Sequence, residues 1–130
     1  MGTVAARRSA RSRRRPVKQT FDAQQDSAGA ARRLVRQTLF AWDRVKRLDD
    51  AEQVVAELAA NALEGGPYTV IISHDVCTNA IHIAVHDNRP GVPVPQDPDD
   101  DSVSGRGLLI IKTLADEWGF SENIVWASFK

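Results

Sequence analysis

The sequence predicts an α+β domain, a two-layer α/β sandwich in which helices cover one face of a mixed, largely antiparallel sheet. Three observations carry this. Leu34, Val35, Thr38, Leu39 and Trp42 recur at helical spacing, as do Val55, Leu58, Ala59 and Ala62. In the run Ala80–His86, Ile81, Ile83 and Val85 alternate with His82, Ala84 and His86, the pattern of a strand with a core on one side only. The last two strand-like runs follow each other around a tight turn, so the C-terminal connections are hairpins and not repeated βαβ units.

Taken in order, the chain opens on a basic tail, residues 1–18, with seven Arg or Lys and no acid, while residues 19–130 carry ten bases against seventeen acids. A net charge of zero therefore conceals a tail of +7 on a body of −7. Clustered cations of this kind suit a solubilising tail equally with a segment that docks on phosphates or acidic surfaces. The acidic body carries neither zinc-ligand spacing nor a helix-turn-helix, so direct nucleic-acid binding is expected only through the tail.

Residues 19–130 are expected to form one domain. Val17–Phe21 reads as an edge strand, and Asp26 or Ser27 starts a helix running to about Trp42, with Arg32, Arg33 and Arg36 in solvent. A second helix starts near Asp49-Asp50, where either acid is placed to cap free amides and Glu52 or Gln53 to close a capping box. It ends near Leu63, because Gly65-Gly66-Pro67 stops it. Tyr68–Ser73 and Ala80–His86 follow as Val- and Ile-rich strands. Residues 88–104 hold four prolines between positions 90 and 98 and four aspartates between 97 and 101, which predicts a long lid or binding loop. Gly107 to about Leu114 resumes helical periodicity, and Trp118–Phe120 and Ile124–Phe129 form strands around an Asn123 turn.

With 42% hydrophobic residues the chain can build a core. Its one cysteine, Cys77, excludes an internal disulfide and suits a reducing compartment. No apolar run approaches the roughly 20 residues needed to cross a bilayer, so the cytoplasm is expected. His74, His82 and His86 lack the spacing of a zinc set, and Trp42, Trp118 and Trp126 are expected as core or interface anchors.

Three groups of polar or glycine residues could carry chemistry. Glu57 and Asn61 lie one helical turn apart on one side of the second helix, a geometry that suits one oxygen on Mg²⁺ and another on a water or hydroxyl, and equally an exposed helix face. Ser104-Gly105-Arg106-Gly107-Leu108 opens a helix, where free amides can hold phosphate oxygens or simply form a glycine-containing turn. Asp87, at the end of a strand, can accept a hydrogen bond from the exocyclic amine of adenine, or serve as a turn former.

In combination these features resemble a known family. Val55-x-Glu57-Leu58-x-x-Asn61-Ala62, Val85-x-Asp87, Gly105-Arg106-Gly107-Leu108, Leu114-Ala115-Asp116-x-Trp118-Gly119 and Val125-Trp126, with Ala31-Arg32 and Leu39-x-x-Trp42 before them, occur in the order of the Bergerat-fold ATP-binding domain. That domain is shared by histidine kinases, gyrase-type ATPases and small anti-sigma-factor serine kinases, and the chain is most similar to the short actinobacterial members of the last group. The resemblance implies ATP and Mg²⁺ as cofactors, with Glu57 activating the nucleophile, Asn61 on the metal and Asp87 on adenine. It further implies that Gly91 shapes the nucleotide loop and that Gly105, Arg106, Gly107 and Leu108 enclose the phosphates. The implied reaction is γ-phosphoryl transfer to a serine of an antagonist protein. The implied partners are a sigma factor or its regulators, and a second copy of the chain. Arg89 and Pro90 stand where a glycine is usual after Asp87, and Glu122-Asn123 where a Gly-Lys pair is usual. The alternative is therefore a catalytically weak or inactive module that sequesters a regulatory partner.

Overall fold

A computed structural model describes residues 14–22, 24, 26–87 and 105–130; residues 105 and 106 are described by their backbone alone. Five strands, β1 (Val17–Phe21), β2 (Tyr68–His74), β3 (Ile81–Asp87), β4 (Glu117–Ser121) and β5 (Ile124–Phe129), form one sheet in the order β1-β2-β3-β5-β4. Every pairing in it is antiparallel. Among the described residues three α-helices accompany the sheet: α1 (Ser27–Ala41), α2 (Leu48–Leu63) and α3 (Gly105–Leu114). The two-layer expectation holds, and each element lies within a few residues of its expected bounds. The basic residues 1–13 and the proline- and aspartate-rich residues 88–104 fall outside the described residues.

The core lies between the helices and one face of the sheet. Val35, Leu39, Val54, Val55, Leu58, Val70, Ile72, Ile83, Ile111 and Phe129 are fully or almost fully buried there. Period-2 alternation decides which face is used: Ile81, Ile83 and Val85 are buried, whereas His82, Ala84 and His86 are partly exposed on the opposite face. Trp42 and Trp118 pack against the core as expected. Trp126 sits on the open face, in register with Ala84 and Gly119. His82 stacks on its indole, with centroids 4.8 Å apart.

That stack requires a glycine at position 119. A Cβ there would lie 2.7–2.9 Å from three atoms of the Trp126 ring. Gly119→Ala is therefore expected to force the indole off its seat and to lower stability by about 1–3 kcal/mol, read by thermal or urea unfolding.

The helix ends show where local sequence signals yield to tertiary contacts. α1 closes in a Schellman arrangement, with the Arg44 amide donating to the Leu39 carbonyl at 2.8 Å and the Asp43 amide to the Phe40 carbonyl at 3.1 Å. Asp43 occupies the left-handed position at φ 57°, where glycine is normally found. Asp43→Gly is expected to raise stability by about 0.5–1 kcal/mol, net of the entropy that glycine adds to the unfolded chain, visible as a small rise in melting temperature.

At the start of α2 the expected capping box is absent. The helix begins at Leu48, two residues earlier than an Asp49 cap allows, and its N-cap position is Arg47 with no side-chain cap. Asp49 and Asp50 lie in the first turn, where negative charge favours the helix dipole. Glu52 is only 6% exposed and accepts from Arg36 at 3.0 Å, bridging α2 to α1. Burial of a carboxylate demands such a partner, and that demand overrides a capping role.

Arg47 joins elements distant in sequence. Its Nη2 donates to the Leu114 carbonyl at 2.6 Å, Nη1 to Asp116 Oδ2 at 2.8 Å and to the Lys130 carbonyl at 3.4 Å, and Nε to Asp50 Oδ2 at 3.2 Å. Its guanidinium also lies over the Phe129 ring, 5.4 Å from the centroid. The start of α2, the end of α3 and the end of β5 are thus pinned together.

Candidate functional site

The direction of each helix follows from these contacts. α2 starts where Arg47 meets Leu114 and Lys130, and it ends at Leu63, just before Tyr68 begins β2. Tyr68 pairs in register with Asp87, the last residue of β3. The C-terminal half of α2, with Glu57 and Asn61, therefore runs toward the end of the sheet that carries Asp87. α3 runs the opposite way, since its last carbonyl is the one held at the start of α2. Ten residues of helix span about 15 Å, which lifts the first turn of α3 to the level of Glu57 and Asn61. α2 and α3 pack directly on each other. Residues 57, 61, 87 and 105–108 are thus gathered at one end of the sandwich although up to 51 positions separate them in sequence.

Glu57 and Asn61 are both partly exposed, on the side of α2 away from the buried Val55, Leu58, Ala59 and Ala62. Asn61 Nδ2 donates to the Glu57 carbonyl at 3.0 Å, so the helix backbone fixes the rotation of the carboxamide and makes its oxygen the atom suited to a cation. With the Glu57 carboxylate one turn below, the donors are hard oxygens, the set that Mg²⁺ prefers. These residues fit such an ion on their chemistry.

Asp87 is partly exposed, and its backbone amide donates to the Asn123 carbonyl at 2.8 Å. That bond brings the β4–β5 turn beside the strand end. Glu122, in that turn, has φ 51°, a position where a glycine would be unstrained. The base of this region is packed and bonded: Tyr68 is fully buried, stacks on Phe21 with centroids 5.5 Å apart, and donates its hydroxyl to Ser27 Oγ at 2.7 Å. Burial pushes the Tyr68 phenol above its ordinary pKa, which keeps it neutral.

Gly107 is buried, and Leu108 packs against the core, so the first turn of α3 is seated against the body of the domain. Leu108 acts here as an anchor for that turn. The Arg106 side chain and Gly91 lie outside the described residues, as does Ser104. Glu57, Glu64, Asp87 and Glu122 make this end acidic, an arrangement that suits a polyphosphate only together with a cation.

The histidines are dispersed. His74 bonds Asn79 at 2.8 Å in the β2–β3 loop region, while His82 stacks on Trp126. No group of three His, Cys, Asp or Glu residues among the described ones is placed to hold a metal, and no helix among them is long and apolar enough to cross a membrane.

Sequence reasoning misses Arg47 and the Arg36–Glu52 pair. Asp116 is visible inside Leu114-Ala115-Asp116, but its cation lies 69 residues away and nothing local announces it.

Comparison with known proteins bears on the family and the fold. The model of the family described as "Histidine kinase-like ATPase domain" matches residues 21–129. Among solved structures, the chain is similar to the RsbU and RsbW domains of Rv1364c from Mycobacterium tuberculosis, with a TM-score of 0.62 and 16% identity. The match covers 89% of this chain and 32% of that one, so the chain spans about a third of that structure. No curated protein matches the sequence.

Proposed function

This chain belongs to the histidine kinase-like ATPase domain family, and from that membership we propose that it is a Mg-ATP-dependent regulatory serine kinase of the anti-sigma-factor type. The observation that supports this reading is the antiparallel packing of α2 and α3, with Asn61, Glu57 and the first turn of α3 toward the end of the sheet that carries Asp87. Similarity to a structure that includes an RsbW domain supports the choice of partner class, a sigma factor or an antagonist protein.

Each residue has a distinct task. Asn61 holds the metal through its side-chain oxygen. Asp87 accepts the hydrogen bond from the adenine amine and disfavours guanine, which presents a carbonyl at that place. Amides of residues 105–108 hold phosphate oxygens at the helix N-terminus, where the backbone dipole favours negative charge. The metal, when bound, neutralises charge on the phosphates. Glu57 takes the proton of the acceptor serine as the serine oxygen bonds the γ-phosphorus and the bond to the ADP oxygen breaks. Alignment and charge neutralisation suffice here because the transition state of phosphoryl transfer is loose. The edge strand β1 and α1 provide the surface for a second copy.

A second reading is favoured by one specific observation, the acidic β4–β5 turn held against the Asp87 backbone. It is a partner-binding module with weak catalysis. Calorimetry of Mg-ATP and Mg-GTP binding, followed by phosphate transfer to a candidate antagonist, separates the two. Tight, adenine-selective binding with transfer is the expected result. Binding without transfer selects the module, and absence of Mg-dependent nucleotide binding removes the enzyme reading.

A further inference from the structure

We infer that Arg47 is a positioning residue for the polyphosphate, acting from the far end of α3. This rests on the Mg-ATP reading above. One guanidinium holds the Leu114 carbonyl at the C-terminus of α3, Asp116 just beyond it, Asp50 in the first turn of α2 and the Lys130 carbonyl at the end of β5. Asp116 Oδ2 in turn accepts from the Lys130 amide at 2.7 Å, and the Asp116 amide donates to the Ser128 carbonyl at 2.9 Å. The last turn of α3 is thereby tied both to the helix that carries Glu57 and Asn61 and to the strand next to β3.

The mechanical consequence follows from helix rigidity. The described side chains that seat α3 are the buried Ile111 and the partly buried Leu108 and Leu114, apolar contacts that carry no directional bond. Hydrogen bonds to the last carbonyl are directional, and they fix the axial position of the rod. A shift at Leu114 is transmitted over about 15 Å to the first-turn amides, the groups proposed to meet phosphate. A displacement of an ångström in such contacts is costly. A cation is also the right cap electrically, because it satisfies orphan carbonyls at the negative end of the helix.

The charges in the clamp support each other. Partial burial works against the Arg47 charge, but its bonds to Asp116 and Asp50 outweigh this and raise its pKa. The Lys130 amide, and then Arg47, hold the Asp116 carboxyl below its ordinary value. Both groups stay ionised throughout the neutral range, so the clamp is constitutive.

The test compares ligands with and without phosphates. Affinity of Arg47→Met for Mg-ATP is expected to fall about tenfold, while affinity for adenosine, which meets Asp87 and no phosphate amide, changes less than twofold. Arg47→Lys keeps the charge and the stem but cannot span the same acceptors, so it should recover only part of the loss. It also carries the comparison if the methionine variant does not fold, which thermal unfolding of each variant reports. In nucleotide-free protein, amide hydrogen exchange of Leu109–Ile111 should accelerate about tenfold in Arg47→Met, with Leu58 and Ala59 in α2 unchanged. Equal losses for ATP and adenosine, unchanged ATP affinity, or full recovery by lysine would each overturn the inference while leaving the nucleotide reading intact. A wild-type protein that does not bind Mg-ATP would remove that reading, and the inference with it.

Discussion

Asn61→Ala is expected to weaken Mg-ATP binding roughly a hundredfold while leaving the fold intact. Loss of partners that merely orient metal ligands costs about 10–100-fold, and a side chain proposed as the ligand itself belongs at the upper end of that range. Stability should not fall with it. Asn61 is only partly buried, and its Nδ2 donates to the Glu57 carbonyl, an acceptor already within the helix. Alanine removes that side-chain bond but has the higher helix propensity, by about half a kcal/mol. Calorimetry with and without Mg²⁺, beside a thermal melt, reads both expectations. The informative comparison is the Mg²⁺ dependence: the variant should bind ATP equally weakly in the presence and absence of the ion. A variant that retains the wild-type Mg²⁺ dependence would place the ion elsewhere.

The same pair of residues shows what is legible in the sequence. Glu57 and Asn61 are separable from the core face by their angular position alone, because 100° per residue is a strong constraint over sixteen residues of helix. The alternation in β3 likewise settles which side of the sheet is buried. What stays hidden depends on long-range partners. The capping box at Asp49-Asp50 is a sound local signal, but the buried Glu52 is claimed by Arg36 on another helix, and Arg47 fills the N-cap position because its side chain is committed to Leu114 and Asp116. Trp126 is expected in a core or an interface, and only the register with Gly119 and Ala84 places it on the open face. Strand pairing order is non-local information, and single-residue composition does not carry it.

Of the candidate site, the sequence offers the residues and leaves their arrangement open. Motif order names Glu57, Asn61, Asp87 and Gly105–Leu108, yet nothing in their spacing says that α3 runs antiparallel to α2. That fact comes from the Leu114 carbonyl meeting Arg47. The nearness of the acidic β4–β5 turn to Asp87 is of the same kind, since it depends on a single backbone bond from Asp87 to Asn123.

Glu57→Gln separates chemistry from binding. The substitution keeps the length and shape of the side chain, its place on α2 and its partial exposure, and it removes only the negative charge and the ability to take a proton. If Glu57 receives the serine proton, phosphate transfer should fall by about 10²–10⁴-fold, the usual contribution of a positioned general base. Mg-ATP affinity should hold or improve slightly, because one of the carboxylates at this acidic end of the molecule is neutralised beside a polyphosphate. Stability should change little, since Glu57 is partly exposed and Gln has nearly the same helix propensity. Single-turnover transfer measured at saturating ATP isolates the chemical step from nucleotide binding. A variant that binds nucleotide normally and transfers phosphate at the wild-type rate would remove Glu57 from the reaction and leave it as a charged residue on a solvated helix face.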